Sequence, residues 1–160
     1  MRISRVDEQT VALEEIDSVV ADLLQKIPGS ADPSGSEAAS SRLFPQPTGG
    51  REQQAEEDWR EYVEPDLREL FRDAVGVVED DLKKLAPTST GLRDLHLPVK
   101  HLDAWIHALN QARLVLAARH DFTDEELERD LSLEGGQRSF VLFQIHFYGL
   151  LQEFFLRQVD

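Results

Sequence analysis

The stretch at residues 140–156, FVLFQIHFYGLLQEFFL, is the most apolar segment of the chain and the strongest indication of its fold class. Its large apolar residues recur at the three- and four-residue spacing of one helix face. They are Phe140, Phe143, Phe147, Leu150, Leu151, Phe154 and Phe155, with Val141, Ile145 and Leu156 elsewhere around the helix. A helix that is apolar on so many sides is predicted to lie at the centre of a helical bundle or in a dimer interface.

The same segment is not predicted to cross a membrane. Its apolar run is interrupted by Gln144, His146, Gln152 and Glu153, whereas a spanning helix needs about 20 predominantly apolar residues. We therefore expect no membrane contact. We expect instead either a protein partner or self-association, with a homodimer formed through residues 138–159.

The preceding helix, predicted over about residues 99–120, contains a cation among apolar groups. At about 100° per residue, Arg113 falls within the arc of Leu102, Trp105, Ile106, Leu109 and Leu116. A guanidinium does not lose its charge at accessible pH, so it needs either water or a partner. One possibility is that the aliphatic stem is buried while the charged head reaches solvent. The other is a carboxylate partner inside the bundle.

Glu153 is the predicted partner, because it is the sole acid within the apolar body of the last helix. A bidentate bond would remove the cost of burying the guanidinium, and Gly149 would permit close approach of the two helices. Asn110 and Gln152 are predicted to be neighbouring hydrogen-bonding groups in this buried polar network. The rival arrangement is a surface Glu153 bonded to Arg157 at i+4.

The rest of the chain predicts a mainly α fold, a bundle of about five helices with a small N-terminal β-hairpin. The hairpin would pair residues 2–6 with 10–13, and residues 92–99 read as an extended connector. We expect one domain over residues 1–160 with a mobile Pro/Gly/Ser-rich loop at 28–50, which the apolar Leu43-Phe44-Pro45 could pin to the core. A helix boundary is predicted at Pro65, and Thr123 with Glu126 predicts a capping box.

Composition excludes several classes of function. The absence of cysteine excludes disulfides, thiolate metal sites and cysteine nucleophiles. The net charge of −14, from 31 acidic and 17 basic residues, disfavours binding to nucleic acid or to anionic lipid. The N-terminal segment has no apolar stretch of signal-peptide length, so a cytoplasmic location is expected.

Motifs for catalysis or cofactor binding are missing. The histidines show no HExxH spacing, and GxSxG, GxxxxGK[ST] and GxGxxG do not occur, so neither a metal nor a cofactor is expected. The function remains unknown at this stage. The sequence favours a non-enzymatic helical interaction or adaptor-like module over an enzyme. The alternative is a small-molecule-binding protein or enzyme that uses a buried Arg113/Glu153 site.

Four stretches carry a resemblance to the bacterial domain-of-unknown-function 2017 family (DUF2017). They are residues 11–13, residues 42–45 (RLFP), residues 104–116 (AWIHALNQARLVL) and residues 149–153 (GLLQE). The third resembles the family pattern Trp-Leu-x-x-Leu-Asn-x-x-Arg-Leu-x-Leu and is the specific one. The resemblance covers nearly the whole chain and implies no known activity, cofactor or catalytic residue. In some actinobacterial genomes such proteins are encoded beside the protease adaptor ClpS, which implies a link to regulated proteolysis.

Overall fold

The computed structural model describes residues 1–129 and 136–159, and this part of the chain is mostly helical. The strands are β1 (Arg2–Arg5), β2 (Thr10–Ile16), β3 (Ala86–Pro87) and β4 (Arg93–Pro98). The helices are α1 (Ser18–Gln25), α2 (Ile27–Ser30), α3 (Glu37–Leu43), α4 (Gln53–Tyr62), α5 (Glu64–Leu82), α6 (Leu102–Arg119), α7 (Asp124–Glu128) and α8 (Gln137–Leu156), with a 3-10 turn at Val99–His101.

The fold class is confirmed, but the described residues contain eight helices rather than about five. The surplus comes mainly from residues 28–50, where α2 and α3 form. Pro28 does not end the helical path, because it sits in the first turn of α2, where its missing N–H costs nothing. Ser36 starts α3 by accepting a hydrogen bond from the Ala39 N–H at 3.2 Å.

A carboxylate holds the segment that follows α3. Glu56 of α4 is buried, and its Oε1 accepts hydrogen bonds from the Thr48 hydroxyl at 2.5 Å, the Thr48 N–H at 3.0 Å and the Gly50 N–H at 3.2 Å. The Thr48 hydroxyl and these backbone N–H groups stabilise the charged form, which lowers the pKa of Glu56. Residues 48–50 are thereby tied to the first half of α4.

The predicted N-terminal hairpin is confirmed, and it belongs to a larger antiparallel sheet. β4, predicted as a connector, pairs with β2 in a register that sets Val11 opposite Leu97 and Leu13 opposite Leu95. The strand order is β1-β2-β4-β3, and β3 has only two residues. The alternation in residues 95–97 was therefore a genuine strand signal, since these four facing side chains are all fully buried.

Helix α6 lies at the centre of the fold. It packs against α2, α3, α5 and α8, and its Trp105 is fully buried beside Phe155 of α8. A smaller cluster of Ala39, Leu43 and Val115 lies to one side of the main core, so Leu43 of the RLFP stretch is indeed anchored.

Helix α8 is long and apolar enough to cross a bilayer by length and composition alone. A third of that window, 33%, is nevertheless buried within the chain, where the helix packs on α6. Core helices of soluble proteins pass the same test, so its length and composition are only weak evidence for a membrane span.

Candidate functional site

The predicted polar site lies between α6 and α8, and Arg113 is its central residue. The guanidinium rests against Gly149, where an added Cβ would lie 3.3 Å from the Arg113 Cζ. Glycine is therefore what permits the planar group to approach the α8 backbone. The Arg113 Nη1 donates a hydrogen bond to the Gln152 Oε1 at 2.8 Å. The predicted contact between Arg113 and Gln152 is thus present.

The predicted buried pair between Arg113 and Glu153 is wrong. The Glu153 side chain is 65% exposed, and its nearest cation is Arg157 at 4.0 Å, the rival i+4 arrangement. The reason is angular, because consecutive helical residues point about 100° apart and Gln152 occupies the direction of Arg113. Arg113 is only half-buried, so a neutral amide acceptor and partial hydration suffice. Asn110 is exposed and forms no part of this contact.

A cavity of about 590 Å³ borders the Arg113 side chain. Its lining includes Arg113, His146, Gln152, Arg129 and Glu153. The Arg113 Nε and the His146 Nε2 are buried, and neither has a hydrogen-bond partner among residues 1–129 and 136–159. The unpaired guanidinium N–H could bind an anion, and the His146 Nε2 could add a second donor when it carries the proton. Among residues 1–129 and 136–159, no three His, Asp or Glu side chains cluster as metal ligands would.

A buried carboxylate that the sequence analysis missed lies at the other end of α6. Asp81 of α5 is only 1% exposed and accepts hydrogen bonds from the Trp105 Nε1 at 2.9 Å and the His101 Nδ1 at 2.9 Å. The Lys84 ammonium lies 3.7 Å away. The signal was available, since Asp81 follows Ala74 by seven residues and Val78 by three on the buried face of α5. These three partners belong to the same chain, so we interpret Asp81 as a residue that stabilises the fold.

A second internal network joins α8 to α1 and α2. The Tyr148 hydroxyl donates to the Leu23 carbonyl at 2.7 Å, and the Gln144 amide donates to Tyr148 and to the Ser30 hydroxyl, both at 2.9 Å. These groups satisfy one another within the core. They fix the rotation of α8 about its axis, because Gln144 and Tyr148 must face α1 and α2.

The opposite side of α8 carries what we call the outer stripe, a row of residues with spacings of three, four, three and four. Its members are Phe140, Phe143, Phe147, Leu150 and Phe154. Four of them are 39–59% exposed, and Phe147 is partly buried. The predicted stripe therefore splits, because Leu151 and Phe155 turn into the core with Val141, Ile145 and Tyr148. Such spacing is that of the a and d positions of a helix-pairing seam.

Comparison with known proteins identifies a family but no activity. A family model described as a domain of unknown function (DUF2017) matches residues 3–159. Neither the curated proteins nor the solved structures give a significant match. Because the family model covers nearly all of the sequence, this chain belongs to the DUF2017 family.

Proposed function

We propose that this protein is a non-enzymatic interaction module that docks through the outer stripe of α8. The observation that carries the proposal is the exposure of this stripe at the spacing of a helix-pairing seam. Scattered exposed apolar residues need no explanation, but a continuous row along one helix face is typical of an interface. A link to regulated proteolysis would fit an adaptor, and it rests on the family resemblance alone.

The occupant that we propose is a second copy of this chain. The chain as a whole has a net charge of −14, which opposes self-association. Helix α8 is an exception, because Arg138 and Glu153 are its only charged residues and they cancel. Two acidic molecules can therefore meet along α8 with little repulsion.

Self-complementarity supports the same occupant. An antiparallel pair of α8 helices centred on Phe147 places Phe140 opposite Phe154 and brings Phe143 within one residue of Leu150. Every member of the outer stripe then gains an apolar neighbour, as a two-fold symmetric interface requires. Lys26, whose ammonium lies 5.0 Å from the centre of the Phe140 ring, would border one end of this interface.

Sedimentation velocity from about 1 to 100 µM tests this proposal. We expect the dimer mass for the native chain and the monomer mass for the double variant Phe143→Glu/Leu150→Glu, because two carboxylates would be buried without partners. The matched control is Leu70→Glu, since Leu70 of α5 is 53% exposed but lies outside the stripe. A native monomer over the whole range, or equal dissociation in the control, contradicts the proposal. Binding of the monomer to phosphatidylcholine vesicles would also contradict it, because the outer stripe would then dock on a lipid surface and not on a second copy.

A second candidate function is binding of an anionic small molecule at the Arg113 cavity. The Arg113 Nε and the His146 Nε2 favour it, because both are buried and neither has a hydrogen-bond partner among residues 1–129 and 136–159. An anionic ligand could accept from the guanidinium, and from the imidazole when its Nε2 carries the proton. Glu153 takes no part as an ion partner of Arg113. Isothermal titration with phosphate and acetate tests this candidate, with Arg113→Gln expected to abolish binding. Unchanged binding in that variant would eliminate it.

A further inference from the structure

A separate cleft of about 440 Å³ opens between α5, α6 and the segment that carries α2 and α3. It lies on the boundary between the main core and the smaller cluster around Leu43. Small-molecule sites in proteins commonly have volumes of about 300–1,000 Å³. The cleft shares no lining residue with the Arg113 cavity or the outer stripe. A ligand in this cleft would therefore contact none of the residues that carry the function proposed above.

The deep side of the cleft carries an unsatisfied donor. Gln111 reaches the cleft from α6 and is only 3% exposed. Its Nε2 is buried and has no hydrogen-bond partner in the part of the chain that the structure describes. Buried side-chain donors are nearly always paired, so an unpaired amide on a residue that lines a cleft points to an acceptor that a ligand supplies.

One wall of the cleft is aromatic. Phe44, which follows α3, and Phe71 of α5 form a tilted pair with ring centres 5.6 Å apart. The Arg68 guanidinium stacks on Phe44 with its Cζ 4.0 Å from the ring centre, and it also bonds Glu64 at 3.0 Å. The Arg68 guanidinium is therefore already paired, and it bounds the cleft beside Phe44. The remaining aromatic surface suits the flat face or edge of a ring.

The cleft has a cationic end and an acidic end. Arg72 lies one turn after Arg68 on α5 and makes no ion pair with any residue in the described ranges. Glu79 is two turns further along α5, about 10 Å from Arg72 along the helix axis. Asp32, on the facing segment, already accepts the Ser34 N–H at 2.9 Å. An anionic group would thus be attracted to the Arg72 end, beside the phenylalanines.

We infer that this cleft binds a small aromatic carboxylate that carries a second polar group on its ring. The ring packs against Phe44 and Phe71, the carboxylate pairs with Arg72, and the second polar group accepts a hydrogen bond from the Gln111 Nε2. The contacts with Arg72 and Gln111 use groups that have no partner in the described ranges, and the ligand ring adds to the Phe44–Phe71 pair. The Gln111 contact gives specificity, because a buried donor rejects ligands that lack the acceptor.

Chemical-shift titration of the ¹⁵N-labelled protein with four probes tests the inference. The probes are 4-hydroxybenzoate, benzoate, benzyl alcohol and benzylamine. We expect the Gln111 side-chain resonances to shift with 4-hydroxybenzoate at about 10 mM, the range expected for a ligand of about ten heavy atoms. Benzoate should bind about fivefold more weakly, benzyl alcohol more weakly still, and benzylamine most weakly.

Two variants separate the contacts. Gln111→Leu should remove the preference for 4-hydroxybenzoate over benzoate, because the donor is gone while the side-chain volume is nearly kept. Arg72→Gln should remove about fivefold of affinity for both carboxylates and leave benzyl alcohol unaffected. Arg2→Gln, which removes one charge at the sheet edge, is the matched control. Gln111→Met replaces Gln111→Leu if thermal unfolding shows that the latter does not fold.

Two results would overturn the inference. One is the absence of any shift at Gln111 with all four probes. The other is equal binding of benzylamine and benzoate, since the cleft would then not select an anion. Neither result bears on the sedimentation experiment at α8, so failure of this inference and failure of the interaction proposal can be told apart.

Discussion

The two apolar faces of α8 have similar composition and opposite environments. The inner face, Val141, Ile145, Tyr148, Leu151 and Phe155, is at most 5% exposed, whereas the outer stripe holds more phenylalanine and remains largely open. Side-chain hydrophobicity therefore does not decide which face enters the core. Burial depends on what packs opposite, here α6 on one side and α1 with α2 on another.

The polar side chains of α8 also differ between the side that faces the core and the side that faces the Arg113 cavity. On the inner side, Tyr148 and Gln144 are paired with one another and with α1 and α2. Beside the Arg113 cavity, the Nε2 of His146 has no hydrogen-bond partner among the described residues, and Glu153 points into solvent. One face of a helix can thus support the fold while its other faces are candidate binding surfaces. The measurements below test this difference between the faces.

The largest effect is expected from truncating the inner face. Phe155 is fully buried and meets Trp105 edge to face with ring centres 5.8 Å apart. Phe155→Ala should lower the free energy of unfolding by about 3–5 kcal/mol, because it leaves a cavity. Its neighbour Phe154 is 43% exposed, and Phe154→Ala should cost under about 1 kcal/mol. Denaturant titration of tryptophan fluorescence at sub-micromolar concentration measures both, and equal losses would contradict the division of faces.

The second-largest effect is expected at alkaline pH, where ionisation of a tyrosine on the inner face should lower the free energy of unfolding. Burial raises the pKa of Tyr148 to about 12 from an ordinary value of 10.0. Because the folded-state pKa is the higher one, the stabilisation is complete below pH 10 and is lost as the pH rises towards 12. The loss should reach about 3 kcal/mol over that window, measured by denaturant titration at each pH. Tyr148→Phe should remove this part of the pH dependence; a variant that keeps it would place its origin elsewhere.

An intermediate effect is expected where Arg113 meets α8. The Arg113–Gln152 hydrogen bond is charge-assisted but half-exposed. A double-mutant cycle of Arg113→Ala and Gln152→Ala should give a coupling of about 1 kcal/mol in the free energy of unfolding. Strict additivity would show that the hydrogen bond contributes nothing to stability.

The smallest effect belongs to Glu153. Its carboxylate is 65% exposed and 4.0 Å from Arg157, so Glu153→Ala should change the free energy of unfolding by less than about 0.5 kcal/mol. A cycle with Arg113→Ala should show no coupling. A decrease of about 3 kcal/mol or more in the free energy of unfolding would instead support the buried Arg113–Glu153 pair that was expected from the sequence.

Short-range features were predictable from the sequence alone. The capping box of Thr123 and Glu126, the helix boundary next to Pro65 and the β1–β2 hairpin all form as predicted. The sequence correctly indicated that Arg113 needs a partner. The spacing of the outer stripe could also be read from residues 140–154. Each of these depends on residues that are near neighbours in the chain, whose geometry the helix or turn itself sets.

Contacts between residues far apart in the chain could not be predicted and are known from the folded structure. It set Val11 opposite Leu97, gave Asp81 its partners His101 and Trp105, and chose Gln152 over Glu153 for Arg113. Local pattern gives the direction of a side chain around its helix, but not the rotation of that helix against its neighbours. That rotation is fixed by the packing of all the faces at once, which is why one apolar face of α8 is buried and the other is left exposed.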